Sequence, residues 1–221
     1  MLGKGRANNK TIIKNMEEIT KEEIKKIMEF PGKVRGAAFK GGMEYILEKK
    51  GEEGLRAVEK ETERLGFPLK YREIKETGWY PAGLGVVSSY AIVATFNWGK
   101  KELIDMAEAA PKVSFIVRFF MRYFATPEKI FSTAASRMWE RYYNVGSLEA
   151  IDFKRTKKDG YAVVRLKNFK LHPFHCFYLG HFFIGVFKLA EPRFKEINFE
   201  ETKCMFKGNS YHEYLIKWTY K

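Results

Sequence analysis

The stretch "LEAIDFKRTKKDGYAVVRLKNF" (residues 148–169) alternates polar and apolar residues on both sides of "KKDG". Alternation of period two around an Asp-Gly turn predicts a β-hairpin. A second alternating pair, "FKEINFEETKCMFKGNSYHEYLIKWTYK" (194–221), turns at "KGNS". Between the two lies "KLHPFHCFYLGHFF" (170–183), with Pro173 placed for a first helical turn and an end near Ala190. Hairpin, helix and hairpin make a small antiparallel sheet with a helix against it.

Upstream the pattern is helical. "EITKEEIKKIM" starts at Thr20, with Glu23 three residues on completing a capping box. "VRGAAFKGGMEYILEKKG" and "EEGLRAVEKETERLG" read as helices stopped by Gly51 and Gly66. An uncharged helix runs roughly from Pro81 to Asn97. "KKELIDMAEAAPK" closes near Pro111, "VSFIVRFFMRYF" has apolar residues at helical spacing, and "TPEKIFSTAASRMWERYY" opens with Thr126 as N-cap. The expectation is an α+β fold: an N-terminal helical layer packed on a small C-terminal twisted antiparallel sheet. Residues 1–15 read as an exposed basic arm and 16–221 as a single ligand-binding domain.

Of the 221 residues, 45% are hydrophobic, enough for a sizeable core. Cys176 and Cys204 are the whole cysteine complement, which reads as reduced thiols in a cytoplasmic protein rather than a disulfide framework. The run from Thr77 to Gly99 carries no charge, but Pro81, Gly83 and dispersed Ser, Thr and Asn residues make it a core helix rather than a membrane span. A net charge of +13 admits nucleic acid, an anionic membrane or an acidic ligand, with no motif to choose among them. "FKRTKKDGY" is the most basic segment, with Lys154, Arg155, Lys157 and Lys158. Phosphate-loop, serine-elbow and His-Glu-x-x-His motifs are absent from the sequence.

Three of the four histidines and one cysteine fall within residues 172–181. Helical phase separates them. At about 100° per residue, His181 is half a turn out of phase with His172. Pro173 makes His172 the N-cap. The remaining metal alternative combines His172 and Cys176 with Cys204 or His212 from the last hairpin, and the first expectation is no metal. The helix is otherwise aromatic, a buried element or a cavity wall.

Several phrases in order carry a family resemblance: "WYPAGL", "NWGKKELIDMAEAAPK", "FFMRYFATPEKIF", "MWERYYNVGSLEAIDF", "LGHFFIGVFKLA" and "CMFKGNSYHEYLIKW". Together they resemble the heme-nitric-oxide-binding-like and 4-vinyl-reductase-like small-ligand domains, whose fold is shared with subunits of the TRAPP Golgi-tethering particle. The resemblance spans roughly residues 30–220. It implies a helical layer on a twisted sheet with an internal apolar cavity that holds heme, an acyl chain or another hydrophobic molecule, in a sensor rather than an enzyme. Trp139, Tyr142, Tyr143 and Gly146 match a structural phrase, Gly180 and Gly185 small helix positions, and Cys204, Gly208 and Trp218 the closing hairpin. Tyr211 stands where many 4-vinyl-reductase-like members place a second cysteine. The heme branch uses a proximal histidine on a central helix and a Tyr-x-Ser-x-Arg motif. Here no histidine precedes His172 and that motif is missing, so heme in the usual mode is not expected.

The leading expectation is therefore a non-enzymatic domain binding a hydrophobic small molecule, an acyl chain or lipid, or a tetrapyrrole. Tyr90, Phe115, Phe119, Phe177, Tyr178 and His181 are the pocket candidates, and Arg118 or Arg122 would meet an anionic head group. The alternatives are an adaptor binding protein, nucleic acid or anionic membrane through its basic surface, and a metal-dependent or reductase-like enzyme. A protein partner or homodimer is left open.

Overall fold

The computed structural model describes residues 19–124 and 126–221. The expected arm, residues 1–15, lies outside them.

Helix α1 (Lys21–Met28) begins where the capping box predicts: the Thr20 hydroxyl accepts from the Glu23 amide, and the Glu23 carboxylate accepts from the Thr20 amide. A short strand β1 (Lys33–Arg35) leads into α2 (Ala37–Arg64), which kinks at Gly51, where φ is +64°. Strand β2 (Trp79–Pro81) pairs antiparallel with β1. Helix α3 (Gly83–Phe96) is the uncharged stretch, ended by left-handed Asn97, and it is buried along most of its length. No helix among the described residues is long and apolar enough to cross a membrane.

Helix α4 (Lys100–Val113) runs past the expected stop and holds Pro111 within it. Pro111 lies near the C-terminal end, so the helix finishes one turn later, at the Ser114 cap of α5 (Phe115–Tyr123). Thr126 caps α6 (Pro127–Lys129), which continues through a π-helical turn, Ile130–Ala134, into α7 (Ala135–Tyr142).

The first hairpin is β3 (Ser147–Arg155) and β4 (Asp159–Lys167). Helix α8 (Pro173–Ala190) follows, then β5 (Phe194–Lys203) and β6 (Tyr211–Tyr220). The strand order is β3-β4-β6-β5, all antiparallel, so α8 leaves one hairpin and returns the chain to the far side of the other. This is the expected α+β arrangement of helices on a four-stranded C-terminal sheet.

Helix α8 is buried on nearly all sides, as its continuous apolar sequence requires. It packs against α4 on one side and β5 on the other. Two glycines allow both approaches. A Cβ on Gly185 would stand 2.5 Å from the Glu108 carbonyl oxygen of α4, and one on Gly180 would stand 2.2 Å from the Phe199 ring of β5. On β6, alternate residues His212, Tyr214, Ile216 and Trp218 turn inward and are almost wholly buried.

Candidate metal centre and apolar cavity

Four side chains from three elements and a turn converge at one end of the sheet. Cys176 lies in the first turns of α8, Glu201 near the end of β5, Cys204 just after it, and His212 on β6. One donor atom from each lies within 4.8 Å of every other. Cys176, Cys204 and His212 are buried, and Glu201 is partly so. The segment between the two strands sets Cys204 in place: its amide donates to the Asn209 side chain at 3.0 Å, and its carbonyl accepts from the Lys207 and Asn209 amides.

Two of the edges match those around a tetrahedral cation. Zinc–sulfur bonds of about 2.3 Å and zinc–nitrogen or –oxygen bonds of about 2.0–2.1 Å imply edges of about 3.6 Å between S and N and about 3.4 Å between N and O. The structure has Cys176 Sγ to His212 Nδ1 at 3.5 Å and His212 Nδ1 to Glu201 Oε1 at 3.1 Å. His212 Nε2 donates to the Phe169 carbonyl at 3.1 Å, which fixes the ring with Nδ1 toward the other donors. The buried Tyr214 hydroxyl has no hydrogen-bond partner among the described residues, and Cys176 is one of the groups facing it. A Cys176 thiolate would give that hydroxyl an acceptor.

Without a cation the group redistributes protons. The neighbouring Cys176 thiol is the largest cause holding the Cys204 thiol down to about 3, while the same neighbour and burial push Cys176 up. Burial works against a charged His212, but its contacts with Cys204 and Glu201 outweigh that and raise it to about 9. Cys204 is thus held as the thiolate that a soft divalent metal takes up, while Cys176 and His212 would each release a proton on binding it.

His172 stands outside this group. It is the N-cap of α8, accepting from the Phe174 amide at 3.2 Å. His212 takes the fourth place, one residue beyond Tyr211, where the family resemblance pointed to a second cysteine. Glu201 was not among the residues singled out in the sequence. It is one of a pair of adjacent acids, Glu200-Glu201, that reads as solvated surface until strand phase turns the second inward.

Close by, an apolar cavity of about 80 Å³ lies between α7, α8 and the sheet. Its wall includes Met138, Trp139, Tyr142, Tyr143, Tyr178 and Phe182, with Leu148, Val164 and Ile216 from the strands. Three of the polar groups on this wall are engaged by protein. Trp139 Nε1 donates to the Val145 carbonyl at 3.0 Å, the Tyr142 hydroxyl meets Ser114, and the Tyr143 hydroxyl lies 2.9 Å from His175 Nε2. Trp139 and Tyr143 stack with ring centroids 4.5 Å apart.

Of the pocket candidates, Tyr178 lines this cavity. Tyr90 is buried elsewhere, against His172 and Phe174. Phe177 packs edge-on to His181, and His181 Nδ1 lies 3.0 Å from Glu108 Oε1, so this histidine is held by a partner in filled space. Phe115, Arg118, Phe119 and Arg122 face outward, because α5 buries Ile116, Val117 and Phe120 instead. Trp139, Tyr142 and Tyr143 had a structural reading only. Their place on the wall follows from the strongly amphipathic spacing of α7, which turns Met138, Trp139 and Tyr142 inward together.

The fit to heme is poor. No histidine lines the cavity, and each of the four has another engagement: His172 at the cap, His175 with Tyr143, His181 with Glu108 and His212 in the cluster. An engineered cavity of about 150 Å³ just admits benzene, and this one is about half that size.

No family model and no curated protein sequence matches the chain. Solved structures do. An H-NOX protein from S. oneidensis in the Fe(II)NO state is 12% identical with a TM-score of 0.60, covering 83% of this chain and 98% of that one. An Fe(II) unliganded H-NOX mutant from K. algicida is 14% identical with a TM-score of 0.56, covering 83% and 96%. An oxygen-binding H-NOX domain related to soluble guanylate cyclases is 10% identical with a TM-score of 0.56, covering 85% and 95%. The chain shares the fold of these heme-NO-binding domains, as the resemblance implied.

Proposed function

We propose that the chain is a non-enzymatic binding domain that holds a compact apolar molecule in the cavity between α7, α8 and the sheet. The observation that carries this reading is the cavity itself, at the junction of helical layer and sheet, with the polar ends of Trp139, Tyr142 and Tyr143 all committed to protein partners. A wall with those groups already engaged favours burial of apolar surface over hydrogen-bonded recognition. The occupant is a few carbon atoms in size, or a single ring if Met138 and Phe182 change rotamer; an extended acyl chain or tetrapyrrole exceeds the space. The sensor that the family resemblance implies is consistent with this reading.

Thermal unfolding in the presence of xenon, cyclopropane and benzene tests it. Stabilisation by the smaller probes is expected. Leu179 and Ala135 also line the cavity; Leu179→Ala, which enlarges it, should extend that stabilisation to benzene, and Ala135→Leu should abolish binding. No stabilisation by any probe, in wild type or Leu179→Ala, would refute the proposal.

A second observation, the four converging donors, favours a zinc ion held by Cys176, Glu201, Cys204 and His212. Such a closed Cys₂HisGlu set leaves no open position and is structural in kind. It would tie the start of α8 to the ends of β5 and β6 and so hold one wall of the cavity in place.

A further inference from the structure

Helix α5 divides cleanly into two faces. Ile116, Val117 and Phe120 are buried, while Phe115, Arg118, Phe119, Arg122 and Tyr123 are exposed. At about 100° per residue those five exposed positions form one continuous face, with the three aromatics along its middle and one side and the two arginines along the other. The aromatic exposure is large: Phe119 is 58% and Tyr123 60% accessible. Across a groove, α7 presents Arg137, Glu140 and Arg141 beside Phe119 and Tyr123. An aromatic stripe about 12 Å long is thus bordered by two pairs of arginines.

Those arginines differ from most others in the chain. Arg64, Arg72, Arg155, Arg165 and Arg193 each form an ion pair with a glutamate. Among the described residues, Arg118, Arg122, Arg137 and Arg141 have no ion-pair partner, and the exposed rings of Phe119 and Tyr123 stand between them. Aromatic residues and arginine are enriched in protein interfaces too; four arginines without acidic partners, in a chain of net charge +13, call for a more strongly anionic surface. Here Arg118 and Arg122 alternate with Phe115, Phe119 and Tyr123 along one exposed helix face. That arrangement matches the headgroup region of a bilayer, where aromatic rings sit at the interface and guanidinium groups meet lipid phosphates.

We propose that this face of α5 and α7 docks the protein on an anionic membrane surface, with Phe115, Phe119 and Tyr123 entering the headgroup layer and the four arginines binding phosphates. The chain's net charge of +13 supplies long-range attraction to the same surface. The proposal is independent of the cavity and of the metal centre.

Co-sedimentation with vesicles of phosphatidylcholine alone, and of phosphatidylcholine with 30% phosphatidylglycerol, tests it at about 0.1 M salt. Binding to the mixed vesicles alone is expected. Each arginine near the surface is worth about a five-fold change, so the double variant Arg118→Gln/Arg122→Gln should weaken binding about twenty-five-fold. Phe119→Asp should weaken it at least ten-fold. Removing two charges on α2, with Arg56→Gln/Lys60→Gln, should change it less than three-fold. All of these positions are exposed, and circular dichroism of each variant confirms that folding is retained. Absence of binding to the mixed vesicles would overturn the proposal. So would binding that Phe119→Asp leaves intact, equal losses from the α2 variant, or a Phe119-dependent dimer in sedimentation velocity that cannot bind vesicles.

Discussion

His212 Nδ1 lies 3.5 Å from Cys176 Sγ, although 36 residues separate them in the chain. The contact joins the last strand of the sheet to the first turns of the helix that crosses it. Glu201 and Cys204 complete the group from the neighbouring strand and turn. The proposed zinc ion therefore acts where three parts of the C-terminal half meet. Protein purified without chelator is expected to carry about one zinc per chain by plasma mass spectrometry. A structural ion present at about a thousand times its dissociation constant contributes about 4 kcal/mol, so stripping it should lower the melting temperature by about 10 °C. His212→Ala or Cys204→Ser should lose the metal, and Tyr214→Phe should keep it with weakened affinity. Full thermal stability in metal-free wild type would count against the assignment.

The Tyr143 hydroxyl and His175 Nε2, 2.9 Å apart, are both buried, and each is the other's partner. Tyr143→Phe leaves a buried imidazole nitrogen unpaired, at a cost of about 1–3 kcal/mol. His175→Phe leaves the hydroxyl unpaired at a similar cost. The double variant should recover part of the loss, because neither orphan remains. Urea denaturation of the four proteins gives the coupling. Strict additivity would show that the pair is not a unit.

Gly185 seats α8 on the backbone of α4. A Cβ there would come within 2.5 Å of the Glu108 carbonyl oxygen and 3.0 Å of the Glu108 Cα and a Pro111 ring carbon. Backbone cannot move aside as a flexible side chain can, so the helices must separate. Gly185→Val is expected to destabilise by roughly 2–4 kcal/mol, at or above the upper range for overpacking. Gly85, which has open space at its Cβ position, is the control: Gly85→Ala in α3 should be neutral or slightly stabilising. Chemical unfolding of the two variants compares them directly.

Local rules made much of the C-terminal half readable. Pro173 identified His172 as the cap, and alternation around "KKDG" and "KGNS" located both hairpins. Helical phase correctly separated His181 from the N-terminal end of α8. The metal group was harder, because its members meet through strand register. Glu201 and His212 both face inward only in the observed pairing, which includes a bulge between Glu201 and Lys203. A one-residue slip would have turned either outward. The exposed face of α5 misled in the opposite sense. "FIVRFFMRYF" is apolar enough to be taken for cavity lining, and which half of an amphipathic helix is covered depends on neighbours that the segment itself does not name.

Glu108 ties α4 to α8 through two side chains: Oε1 lies 3.0 Å from His181 Nδ1, and Oε2 accepts from Lys188 Nζ at 2.5 Å. Burial alone would raise its pKa, but those two hydrogen bonds and the charge on Lys188 outweigh burial and hold it below the usual glutamate value of 4.5. A carboxyl lowered on folding stabilises the native state wherever it is ionised in both states. That contribution is fully present above about pH 5, and it is lost as the pH falls below 4.5 and through the folded value. Glu108→Gln should therefore cost about 1–2 kcal/mol at pH 7. The difference from wild type should shrink steadily from pH 5 to pH 3, as the native carboxylate takes up its proton. Urea midpoints measured at half-unit intervals give the profile. A difference that stays constant to pH 3 would mean that Glu108 contributes packing alone.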